Sequence, residues 1–127
     1  MENDLDQASW PAEWMRGVME LCVLRAIADG PTYGYAIAVA LENYGLGAVK
    51  GGTLYPLLGR LERDEWVVTY WGAGEGGPGR KFYELTQAGR DHLLELAKIW
   101  TTFSGLVTTY LGTWSDEVQN PDERKQA

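Results

Sequence analysis

Apolar positions along the chain follow helical spacing, switch to strand character in the middle, and return to helical spacing. Between Trp10 and Asp29 the apolar residues Trp14, Met15, Val18, Met19, Leu21, Cys22, Val23, Leu24 and Ile27 cover much of a helical circumference. A helix of that kind buries more than one side, so it is expected to touch a neighbouring subunit as well as its own core. Pro11 suits a first turn, and Gly30-Pro31 is a strong stop. Thr32 then offers a cap for a short second helix, in which Ile37, Ala40, Leu41 and Tyr44 repeat at i, i+3, i+4, i+7 until Gly45 ends it. The turn from Gly47 to Gly52 contains Lys50 and leads into a third helix over about Thr53 to Asp64. Leu54, Leu57, Leu58 and Leu61 form its inner face, and Thr53, Tyr55, Pro56, Gly59, Arg60 and Arg63 its outer one. Pro56 is tolerated only near a helix start, which pins that start close to Gly52.

The period then changes. Trp66 to Trp71 is β-branched and aromatic and reads as a strand; Gly72 to Gly79 reads as a flexible hairpin loop, and Arg80 to Leu85 as the return strand. Thr86 caps a final helix over roughly Gln87 to Gly112. Leu93, Leu96, Trp100, Phe103, Val107 and Tyr110 repeat along it in unbroken 3-4 spacing, the seam of a coiled-coil-like contact. At about 1.5 Å per residue this helix reaches ~39 Å, longer than a lone domain of this size needs, so those six residues are assigned to a dimer interface. The expected fold is mainly α with a two-stranded β-wing: a winged helix-turn-helix followed by a long C-terminal dimerisation helix. Its expected divisions are an acidic arm (1–9), the winged domain (10–86), the dimerisation helix (87–112) and a flexible tail (113–127).

Composition narrows the function classes. The chain has 127 residues, which suits one domain. It has no apolar run long enough to span a membrane, and its acidic start is unlike a signal peptide, so no membrane partner and a reducing, cytoplasmic setting are expected. A single cysteine, Cys22, excludes an internal disulfide, and with the lone His92 it leaves no metal site or cofactor chemistry to expect. The net charge of −7 argues at face value against nucleic acid. Glu2, Asp4, Asp6 and Glu13 place −4 in residues 1–13, however, and residues 113–127 carry −2, leaving −1 for residues 14–112. The acidity belongs mostly to the two ends.

Three stretches carry a family resemblance: Tyr33-Gly34-Tyr35-Ala36-Ile37, Gly52-Thr53-Leu54-Tyr55-Pro56-Leu57-Leu58-Gly59-Arg60-Leu61-Glu62, and Gly79-Arg80-Lys81-Phe82-Tyr83-Glu84-Leu85-Thr86-Gln87-Ala88-Gly89. Together they resemble the PadR family of bacterial transcriptional regulators, in its shorter subfamily with one long C-terminal helix. Glu65 departs from the family pattern, which has glycine after the recognition helix. The resemblance implies a homodimeric, ligand-responsive repressor whose third helix and wing read a pseudo-palindromic operator in double-stranded DNA. It implies DNA contact at Lys50, Gly52, Thr53, Tyr55 and Arg60 around the third helix, and at Arg80 and Lys81 on the wing. Thr32, Tyr33 and Tyr35 lie where the second helix start can hold a phosphate. The solvent-charge reading is preferred for Arg63, with Glu62 and Asp64 neutralising Arg60 and Arg63. The resemblance also implies that Trp100 can stack on a small aromatic effector at the dimer interface, with Trp14, Met15 and Phe103 completing the pocket. Simple dimer packing is an equal reading of Trp100.

Other readings are weaker. Gly74 to Gly79 matches G-x-G-x-x-G literally, but a strand follows where a dinucleotide site needs a helix. His92 reads as a solvent-facing helix residue and Cys22 as a small core residue. No nucleophile–base pair or phosphate loop supports an enzyme. The rival from another class is a winged helix that binds protein without reading DNA.

Overall fold

The structure is a computed structural model that describes residues 10–74 and 77–119. The expected acidic arm over 1–9 and the end of the expected tail, 120–127, lie outside the described residues. Among the described residues, four helices and three strands follow in the order α1 (Ala12–Ala28), β1 (Thr32–Tyr33), α2 (Gly34–Tyr44), α3 (Gly51–Arg63), β2 (Val67–Gly74), β3 (Gly77–Leu85) and α4 (Gln87–Gln119). The chain divides into two compact units, one up to Leu94 and one from Glu95 onward. The first two turns of α4 therefore belong to the winged unit.

The core is aliphatic. Val23, Leu24 and Ile27 of α1, Ile37 of α2, Leu54, Leu58 and Leu61 of α3, and Val67 of β2 are almost completely buried. Burial of each stabilises the fold by roughly 1.5–3 kcal/mol before the entropy of ordering it. The i, i+3, i+4, i+7 leucine set on α3 points wholly inward. On α1 the inner stripe leaves Met15, Val18, Leu21 and Cys22 half-buried and Trp14 exposed, as the all-round apolar pattern requires.

Four expectations about local structure need correction. The sheet has three strands in the order β1-β3-β2, not two: Thr32 pairs with Tyr83 and Tyr33 with Phe82. Thr32 is thereby drawn into the sheet and does not cap α2, whose N-cap is Tyr33 without a side-chain bond. The glycine-rich segment is not all loop, because the ladder continues through Gly72 opposite Arg80 to Gly74 opposite Gly77, with a bulge between. A Cβ on Gly72 would lie 2.9 Å from Phe82 Cε1, so this position is kept small by its neighbour. Finally, α4 runs through Gly112 to Gln119, where the sequence suggested a stop and a tail. A glycine ends a helix by adopting positive φ, and Gly112 does not.

Two helix ends use the same device. At the end of α2, Gly45 at φ 106 donates to Glu42 O and Leu46 N–H to Leu41 O. At the end of α3, Glu65 N–H donates to Glu62 O (3.1 Å) and Trp66 N–H to Leu61 O (3.0 Å). This is a Schellman motif with a glutamate at φ 64, where a Cβ is strained. Thr86 holds the turn in place. Its hydroxyl lies 2.8 Å from Glu65 O and accepts the Gly89 N–H at 2.9 Å, so it caps α4 as expected and locks α3 to it. Glu65→Gly should therefore stabilise the protein by about 0.5–1 kcal/mol, the relief of left-handed strain exceeding the added chain entropy. Chemical denaturation checks this, and an unchanged or lowered midpoint contradicts it.

Candidate nucleic-acid interface

The start of α2, the middle of α3 and the hairpin together line one open hollow of about 670 Å³. Tyr33, Tyr35, Tyr55, Arg80 and Lys81, all anticipated from sequence, meet there. Each is placed by backbone logic. Gly34 opens α2 without a Cβ, because a Cβ would sit 2.7 Å from Tyr55 Cε1; the two helices thus meet with the Tyr55 ring against bare backbone. Tyr35 and Tyr55 remain largely exposed in spite of that packing, 72% and 53% respectively, which leaves much of each side chain open to a partner. The short β1 pairing brings Tyr33 beside Phe82 (ring centroids 5.6 Å, edge-on) and under the Arg80 guanidinium, 4.3 Å from the ring centroid.

The two wing cations differ in electrostatic role. Lys81 Nζ donates to Glu62 Oε1 at 3.0 Å, and Thr69 Oγ1 donates to the other oxygen of the same carboxylate at 2.9 Å. The bonds from Lys81 and Thr69 hold the Glu62 carboxyl below its usual range, and the bond to Glu62 raises the Lys81 ammonium above its own. That pair is locally neutral. Among the described residues Arg80 has the Tyr33 ring as its partner and no carboxylate within salt-bridge distance, unlike Lys81. Glu62 was expected to neutralise Arg60 or Arg63; its partner is on the wing instead.

The remaining anticipated contacts separate. Lys50, the exposed N-cap of α3, and Thr53 line a second hollow of about 320 Å³ with Trp10, Met15 and Arg16. Met15, anticipated as an effector contact, is thus a neighbour of anticipated DNA contacts. Gly52 is exposed, with nothing within 4 Å of a Cβ built there. Thr32 is half-buried in β1. Arg60 turns away from the first hollow and donates to Glu20 Oε1 of α1 at 2.8 Å. The other Glu20 oxygen meets His92 Nε2 at 2.8 Å, and the His92 ring stacks on Trp66 at 4.0 Å and 9°. His92 is therefore not the solvent-facing residue the sequence suggested. Burial pushes the Glu20 carboxyl up, but the bonds from Arg60 and His92 outweigh it and hold the group below its usual range. Burial alone pushes the half-buried Cys22 thiol up, which keeps it unreactive.

Sequence reasoning missed Trp71, 73% exposed and lining the first hollow with Lys81, its register partner. An aromatic inside a strand run reads as core unless the strand's face is known. On α4, Trp100 and Phe103 form a tilted pair with centroids 6.4 Å apart. Both are exposed in the single chain, as are Val107 and Tyr110, while Leu93 and Leu96 are half-buried. Trp14 is 69% exposed. No helix among the described residues is long and apolar enough to cross a membrane, and none of their His, Cys, Asp or Glu side chains gather in threes around a metal position.

Comparison with known proteins agrees with this architecture. The transcriptional regulator PadR-like family matches residues 23–95, from the core of α1 to the first turns of α4. A transcriptional regulator of Mycobacterium tuberculosis is 36% identical over 83 residues, covering 65% of this chain and 76% of that protein. A PadR-like transcriptional regulator from Bacillus cereus superposes with a TM-score of 0.71 at 32% identity, over 78% of this chain and 96% of the other. A PadR family regulator from Eggerthella lenta gives 0.71 at 33% identity, over 79% and 87%. These relatives are regulators of transcription rather than enzymes, and the matched stretch contains the helix pair and the wing that line the hollow and the leucine face packed beneath α3. The chain belongs to the PadR-like family of transcriptional regulators.

Proposed function

We propose that the protein is a homodimeric, ligand-responsive repressor that reads a pseudo-palindromic DNA operator with α3 and the wing. The observation that carries this reading is the first hollow. It sets Arg80, which has no carboxylate partner among the described residues, with the exposed Tyr35 and Tyr55 and the start of α2 on one face. Phosphates are held by such cations and helix starts, while side chains near the N-terminus of a recognition helix meet base edges. Lys50 and Thr53, at the N-terminal end of α3, supply further contacts beside that face. Arg60 is left out of direct contact by its bond to Glu20.

Dimerisation is assigned to α4, whose exposed Trp100, Phe103, Val107 and Tyr110 extend along one seam. A twofold dimer places two recognition helices one DNA turn apart. An aromatic effector stacked at Trp100 would change the angle between the long helices and with it the fit to the operator; the affinity lost is the coupling free energy. A dimer of chains with charge −7 each has weak nonspecific DNA affinity, so a few placed contacts must supply specificity.

The test is duplex binding against salt. Wild type should show a steep negative dependence of log affinity on log salt, and Arg80→Ala should flatten the slope by about 1.8, one phosphate per subunit. Lys81→Ala should flatten it less, because Glu62 already neutralises that charge. An absence of duplex affinity at low salt would instead support the protein-binding winged helix.

A further inference from the structure

We infer that Glu20 is a positioning residue that fixes the recognition helix α3 against the base of α4 and so sets the half-site spacing the dimer accepts. The inference rests on the DNA-reading dimer proposed above. Each oxygen of this one carboxylate is committed to a different helix. Oε1 takes Arg60 of α3 and Oε2 takes His92 of α4, both at 2.8 Å. The second tie is braced from behind: the His92 ring lies flat on Trp66, and Trp66 is the residue whose N–H closes the end of α3. Rotation of either helix breaks a charge-assisted bond that has a strict geometry. A half-exposed ion pair adds little to stability, so the consequence of this arrangement is geometric. α4 carries the proposed dimer seam and α3 the reading face. The base of α4 runs on into the proposed seam, so fixing α3 to that base sets the distance between the two recognition helices of the proposed dimer.

The experiment titrates duplexes whose half-site spacing is altered by one base pair in either direction, together with an unrelated duplex, at several salt concentrations. Glu20→Gln removes the carboxylate. His92→Phe keeps a flat ring on Trp66 but deletes the bond to Glu20, and it carries the test should Glu20→Gln fail to fold. Wild type should prefer one spacing. Both variants should lose about tenfold at that spacing, with unrelated-duplex affinity unchanged, the preference among spacings flattened and the salt slope intact. A purely structural role would lower thermal stability and leave the spacing preference alone, so an unchanged preference in a folded variant overturns the inference. Arg60→Met should behave as Glu20→Gln does. If it flattens the salt slope by about 0.9 per subunit, Arg60 is a phosphate contact and the tie to α3 is not what positions the helix. A wild-type protein with no spacing preference fails the function proposed above, a result distinct from the failure of Glu20.

Discussion

Gly89→Ala should cost the fold roughly 3–4 kcal/mol, at the upper end of what one added methyl does by overpacking. Gly89 lies in the first turn of α4, and a Cβ there would overlap the Trp66 carbonyl oxygen. The obstacle is backbone, not the end of a mobile side chain, so the methyl can be accommodated only if α4 moves off the α3–β2 turn. That movement would disrupt the bonds meeting at Thr86, where the amide donates to Trp66 O at 3.1 Å and the hydroxyl accepts the Gly89 amide at 2.9 Å. It would also pull His92 off Trp66 and Glu20. For a domain of this size the loss corresponds to a fall in Tm of roughly 15–25 °C. Gly17→Ala supplies the contrast. Gly17 lies inside α1 with nothing within 4 Å of a built Cβ, so the same change there should stabilise the protein by up to about 1 kcal/mol through helix propensity. Thermal unfolding of the two variants separates close approach from propensity, and equal melting points would show that the junction yields easily.

The contrast between those glycines also marks what could be read from the chain. Helix positions and inner faces were legible because periodicity is local: the leucines of α3 and the apolar set of α1 sit where their spacing puts them. β1 was not, because two residues carry no period, and Thr32 beside a helix start is locally indistinguishable from a cap. The pairings were not legible either. Glu20 finds Arg60 and His92 at sequence separations of 40 and 72 residues, and Lys81 takes Glu62 although nearer cations on α3 compete for it by spacing alone. Charge neutralisation inferred within a helix is displaced by tertiary partners of better geometry. At Glu65 the family pattern pointed to glycine, and the strain of a side chain at positive φ is absorbed by the bonds at Thr86 and Trp66. Tyr33, Tyr35, Tyr55, Arg80 and Lys81 of the first hollow were legible as a set from the family resemblance, but Trp71 and Tyr83 were not. That Lys81 is paired with Glu62 while Arg80 lies over the Tyr33 ring needed the side-chain geometry.

In the proposed dimer, Val107→Glu should yield monomers and reduce operator affinity by about 10²–10⁴-fold, the factor lost when two linked half-site contacts become independent. Trp100, Phe103, Val107 and Tyr110 are 43%, 58%, 41% and 78% exposed in the single chain, and Leu106 on the same helix is 67% exposed. So much contiguous apolar surface on one helix is characteristic of an interface. In the proposed twofold seam the substitution places a charge where an apolar contact was and adds a second like charge from the other copy to the same interface. Each winged unit should stay folded, since its buried core lies in residues up to Leu85. Sedimentation and duplex titration read the two effects separately: wild-type mass with wild-type affinity would remove the seam from the dimer. Trp100→Ala probes the same surface for a different role. Its ring pairs with Phe103 at 6.4 Å and leaves a planar face exposed, the geometry on which a flat aromatic molecule stacks. If that face serves an effector, Trp100→Ala should abolish binding of planar aromatics, followed by fluorescence of the ligand, while the sedimenting species remains a dimer. If the variant binds such molecules as wild type does, the indole is interface packing and the effector site lies elsewhere. Val107→Glu should lose both properties, because a pocket built from two copies of α4 cannot outlast their separation.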